Sequence, residues 1–171
     1  MKRQPLVAPL LGTVLVLTLA SCSSPGGGKN VAESLTVEDA KKIAQGMETE
    51  LATFVPGDLV ASIAQRPTGV LLRCGADGTY QWTGATTVQV AAGKRVDAEA
   101  IATDIVAAYN GKDSLAAKVE QTSDGEPRAH IVGPDGAGYL VSEDPDRAGV
   151  RIASFSPCFT LPDDMSPAND Y

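Results

Sequence analysis

The stretch Tyr80-Gln81-Trp82-Thr83-Gly84-Ala85-Thr86-Thr87-Val88-Gln89-Val90 alternates from end to end. Tyr80, Trp82, Gly84, Thr86, Val88 and Val90 share one face, and Gln81, Thr83, Ala85, Thr87 and Gln89 the other, because successive side chains of a strand point to opposite sides. The pattern predicts one long antiparallel strand with a packed face and a mostly wet one. Its length predicts a bulge near Gly84. Just upstream, Gly69 to Cys74 reads as a strand and Gly75-Ala76-Asp77-Gly78 as the turn between the two. A hairpin with one apolar face needs a second layer to cover it.

Two segments supply that layer. Thr36 can cap a helix whose first turn holds Glu38 and Asp39 and whose Val37, Ala40, Ile43, Ala44, Met47, Leu51 and Phe54 recur every three or four residues, until Pro56-Gly57 stops it. Asp97 can cap a second, with Ala98, Ile101, Ala102, Ile105, Val106 and Tyr109 on one face and Asn110-Gly111 as the stop. A short helical turn is expected over Asp58 to Ala64. Four more strands follow at Ala116 to Thr122, Ala129 to Val132, Gly138 to Ser142 and Val150 to Phe155. Gly133-Pro134-Asp135-Gly136 joins the middle pair, and Glu143 to Gly149 the last. This order predicts an α+β two-layer sandwich, with two main helices on one face of a largely antiparallel sheet.

The N-terminus is built differently. Lys2 and Arg3 precede an apolar run, Leu6 to Ala20, that is shorter than the roughly 18 residues a membrane-spanning helix needs. It reads as an export signal, and its end, Leu19-Ala20-Ser21-Cys22, resembles the lipobox of bacterial lipoproteins. That resemblance implies cleavage before Cys22 and a diacylglyceryl group on its sulfur, and two acyl chains suffice for stable membrane anchoring. The expected organisation is a signal peptide over 1–21, a flexible tether over 22–35, one α+β domain over 36–162 and a disordered polar, proline-broken tail over 163–171.

With Cys22 lipidated, Cys74 and Cys158 remain, in a compartment outside the cytoplasm where disulfides persist. A bridge between them is expected; the alternatives are two free thiols or an intermolecular pair. The sequence holds 14 Lys and Arg against 21 Asp and Glu, a formal charge of −7 that becomes −9 once Lys2 and Arg3 leave with the signal. Nucleic acid is excluded as a partner on that balance, since phosphate contacts need a basic patch. The same balance is expected to repel an anionic lipid surface, leaving the lipid on Cys22 as the hold on the membrane.

No catalytic constellation emerges. His130 is the one histidine, it lies mid-strand, and no G-x-S-x-G elbow is present. No metal site is expected: H-E-x-x-H is absent, and the acidic loop Ser142-Glu143-Asp144-Pro145-Asp146-Arg147 lacks the calcium-loop spacing and carries its own arginine. No cofactor is implied, because Gly26-Gly27-Gly28 neither follows a strand nor leads into Gly-Lys-Ser/Thr. Tyr80, Trp82 and Tyr139 are the candidate ligand-facing residues, as rings that stack on flat apolar ligands, although their spacing along strands also fits sheet packing, the more ordinary use of such rings.

Cys22, Cys74 and the segment Ser154-Phe155-Ser156-Pro157-Cys158-Phe159-Thr160-Leu161-Pro162 together give a chain similar to small actinobacterial lipoproteins of the LppA type. The resemblance implies an envelope protein on the extracytoplasmic face of the cell membrane, with no catalytic residues to carry over. The expected function is a non-enzymatic module binding an envelope protein or cell-wall component. The alternatives are a carrier of a small apolar or cell-wall ligand in a groove between helices and sheet, and an extracytoplasmic hydrolase.

Overall fold

The computed structural model describes residues 35–75, 78–144 and 149–171. Cys22, the apolar leader, the tether up to residue 34, and residues 145–148 of the acidic loop lie outside them. Among the described residues, helix α1 spans Val37–Ala52 and helix α2 Ala98–Tyr109. Thr36 Oγ1 accepts the Asp39 amide at 3.1 Å, and Asp97 Oδ1 accepts the Ala100 amide at 3.0 Å, so both helices begin where a short polar side chain satisfies an otherwise orphaned N–H. No described helix is long and apolar enough to cross a membrane.

Eight strands form one antiparallel sheet: β1 (Val60–Gln65), β2 (Val70–Arg73), β3 (Thr79–Val90), β4 (Ala116–Gln121), β5 (Pro127–Val132), β6 (Gly138–Glu143), β7 (Gly149–Phe155) and β8 (Phe159–Thr160). The order is β1-β3-β7-β6-β5-β4, with β2 and β8 also pairing with β3. The long strand is the spine, because it is shared at both edges: β1 takes its far half and β2 its near half on one side, β7 and β8 on the other. Helix α1 packs on β3 and β7 and α2 on β5 and β4, all on one face. The protein is an α+β sandwich, and among the described residues no helix packs on the second sheet face.

Three expectations give way. Residues Val60–Gln65 form an edge strand rather than a helical turn, pairing from Val60 with Val90 to Gln65 with Thr86. Gly84 carries no bulge: the β3–β7 ladder runs unbroken from Thr83 to Gln89, and the irregularity falls between Val60 and Ser62 on β1. The glycine serves packing instead, since a Cβ there would come within 2.1 Å of the Trp82 ring. Residues 163–171, expected to be disordered, are tied down. The Tyr171 main chain exchanges hydrogen bonds with Gly69 at 2.7 and 2.9 Å, and the Trp82 indole N–H donates to the Tyr171 carbonyl at 3.0 Å.

The core divides into two clusters on the helix side. The larger gathers Leu51, Val88, Ile105, Ile131, Val141 and Ile152; the smaller gathers Val37, Ala40, Ala44, Leu71, Phe159 and Leu161 around Trp82. Cys74 and Cys158 lie at disulfide distance, with their Cα atoms 5.9 Å apart, linking the chain after β2 to the chain before β8.

Candidate functional site

The three aromatic residues singled out in the sequence do not form one surface. Trp82 is 0% exposed, at the centre of the smaller cluster, and its one polar atom is satisfied by Tyr171. It is a core residue, not a ligand-facing one. Tyr80 is half-buried against the same cluster. Tyr139 belongs to the larger cluster and floors a groove of about 240 Å³ between the helices, walled by Ile43, Met47, Tyr109 and Leu115. Burial, with Glu48 nearby adding repulsion, pushes the Tyr139 hydroxyl up to about 12.

Glu48 is the residue that periodicity passed over. It takes the next place on the α1 stripe after Ala40 and Ala44, and it is 0% exposed. One carboxylate oxygen accepts from Thr86 Oγ1 at 2.7 Å and Gln65 Nε2 at 2.9 Å, and the other accepts from Ser154 Oγ. These donors are supplied by β3, β1 and β7, and the group sits where the two apolar clusters meet. A buried carboxylate is tolerated when its oxygens are satisfied. Glu48 and Ser154 are both 0% exposed beneath α1. The signal that could have revealed them was an acid at an apolar-stripe position, opposite polar residues on the packed face of two strands.

Registers define the uncovered sheet face. One row across it reads Val70, Thr83, Phe155, Gly138, Val132 and Ala116. A second reads Ala85, Ala153, Leu140, His130 and Lys118, and the Arg66 amide, bonded to the Ala85 carbonyl at 3.0 Å, extends it. A third reads Ala64, Thr87, Arg151, Ser142, Arg128 and Glu120. Val70 at 47%, Leu72 at 45% and Val132 at 45% are exposed large apolar residues on this face. An antiparallel sheet with one solvated face ordinarily shows polar residues there. Lys118, Arg128, Arg151 and Arg66 against Glu120 make these rows basic, on a chain whose overall charge is −7.

His130, whose role the sequence left as a sheet residue, joins a charge cluster. Glu120 receives Lys118 Nζ at 2.9 Å, the Arg128 guanidinium, and His130 Nδ1 at 3.2 Å. The Lys118 contact first, then Arg128 and His130, bring the Glu120 carboxyl down to about 2. His130 thus lies beside Lys118 and Arg128 around one carboxylate on this face. Among the described residues no group of three or more His, Cys, Asp or Glu side chains converges as a metal site would require. Comparison with known protein families, curated proteins and solved structures returns no match to the chain.

Proposed function

We propose that the chain is a lipid-anchored envelope protein, held at the extracytoplasmic face of the cell membrane through Cys22, whose domain is a non-enzymatic interaction module. The observation that carries the reading is the open sheet face, where exposed apolar side chains and cations lie together. Contiguous apolar surface rimmed by polar groups is the usual mark of a partner site. Its chemistry suits an envelope protein or cell-wall component with acidic groups. The anchor is supported by the lipobox-like Leu19 to Cys22 alone. It is tested by metabolic labelling with palmitate: incorporation by the native chain and none by Cys22→Ala is expected, and label retained by the variant rules the anchor out. Photo-crosslinking residues at His130 and Leu140 should capture a partner that one at Lys42, exposed on α1, does not. Equal capture at all three positions counts against the face.

A second reading rests on the groove over Tyr139. A small apolar ligand there would be carried rather than transformed, as its walls are apolar and its rim holds Glu50, Lys112 and Asp113. Native mass spectrometry of the chain extracted from envelopes should then show a retained ligand, lost on Met47→Trp. A ligand-free spectrum removes this reading.

A further inference from the structure

We infer that the cleft between residues 66–70 and β7 binds the phosphate diester of a hydroxyl-bearing alcohol. The inference rests on the open sheet face being a binding surface, and it names the chemistry of one subsite there. The cleft measures about 430 Å³, with Arg66, Arg151 and Asp170 at its polar edges and Val70, Ala153 and Phe155 along its apolar side.

Register places the two arginines. The Arg66 amide bonds Ala85 and Arg151 pairs with Thr87, so the two flank β3 on the same face. Strand spacing sets their Cα atoms roughly 12 Å apart, close enough for two long side chains to converge on one anion. Among the described residues neither guanidinium is paired with a carboxylate, in contrast to Arg128 on the same face. Asp170 is held at the rim by the paired main-chain bonds between Tyr171 and Gly69.

Charge counting selects the ligand. With the Tyr171 carbonyl beside them already bonded by the Gly69 amide and the Trp82 indole, two guanidiniums and the Asp170 carboxylate, counted over the lining side chains, sum to one net positive charge. A phosphate monoester, at about −1.5 to −2 near neutral pH, exceeds that; a diester with a single negative charge balances it. A carboxylate carries the right charge but offers two oxygens in one plane, whereas tetrahedral phosphate presents acceptors to forks arriving from different directions. Asp170, an acceptor when ionised, then takes a hydroxyl of the alcohol. Phe155 and Val70 cover its carbon skeleton. Such a diester is found both in phospholipid headgroups and in free polyol phosphates, and the test separates them.

The full chain in neutral-detergent micelles is titrated with glycerophosphoglycerol in one arm. In the other, the micelles are doped with phosphatidylglycerol. Amide shifts of Gly69, Val70 and Phe155 are followed in both. Saturable shifts at these residues are expected, absent with glycerol alone. Arg66→Gln and Arg151→Gln should each weaken binding by about tenfold or more, with far-UV circular dichroism unchanged. Saturation in the first arm assigns a free diester, and saturation only in the second assigns the headgroup. No saturable shift in either arm, or unchanged binding by the double variant, overturns the inference. Diester binding without a crosslinked partner sinks the wider reading of the face and spares the subsite; captured partners without diester binding do the reverse.

Discussion

Glu48 and Glu120 show two ways of keeping a carboxylate on a small domain, and each predicts a different response. Glu48 has only neutral donors, from Thr86, Gln65 and Ser154. Replacing it with leucine strands those donors, and stranded buried polar groups cost about 1 to 3 kcal/mol each. Glu48→Leu should therefore lower the urea midpoint clearly, and adding Thr86→Val and Ser154→Ala should recover part of the loss; no recovery means that cavity or strain, not stranded donors, sets the cost. Glu120 is held by cations, so its response is to pH. Its folded value of about 2 lies below the ordinary 4.5, so the unfolded chain binds more protons between them. Its stabilisation is complete above 4.5 and is lost as pH falls towards 2. Glu120→Gln should flatten that acid limb of unfolding stability relative to the native chain. Tyr139 gives the opposite sign: with its hydroxyl raised from 10 to about 12, stability present below pH 10 declines as pH rises through that window, and Tyr139→Phe should remove the decline.

At the scale of elements, β3 was legible because alternation over eleven residues has no other physical reading, and the helices because caps and apolar stripes agreed. The edge strand β1 was not. Its sequence, Val60-Ala-Ser-Ile-Ala-Gln65, has one half-buried residue and five exposed ones, so neither face imposes a period. What holds it is backbone pairing with β3, which leaves no trace in side-chain pattern. The last residues misled composition for a related reason: their contribution is main-chain bonding to Gly69 and one indole contact, and polar, proline-broken sequence says nothing about either. The candidate face was legible least, because its rows assemble residues from seven strands and exist only once register is fixed. Gly84 links element to packing. Gly84→Ala forces a Cβ into the Trp82 ring, and overpacking of this kind costs about 1 to 3 kcal/mol. A lowered unfolding midpoint with a shifted Trp82 emission maximum is expected; an unchanged emission would mean that the indole does not lie over the glycine.

For the whole molecule, charge is sorted by face: an acidic chain presents cations on the sheet side, which makes net charge a poor guide to what that side meets. Stability is sorted as well. The smaller cluster around Trp82 is assembled from the start of α1, β2, β8 and the last residues, all gathered on the near half of β3, while the larger cluster lies under both helices. Cys74 and Cys158 lie at disulfide distance beside the smaller cluster, at positions 84 residues apart. A crosslink over so long a loop mainly restricts the unfolded chain, and its removal typically costs about 2 to 5 kcal/mol. Because the segments it joins carry Trp82's neighbours, reduction should weaken that half of the sheet first. The expected outcome is a thermal transition by Trp82 fluorescence that moves below the far-UV circular dichroism transition once dithiothreitol is added, where the two coincide in the oxidised chain. If both transitions fall together, the two clusters form one cooperative unit and the bridge stabilises the domain as a whole.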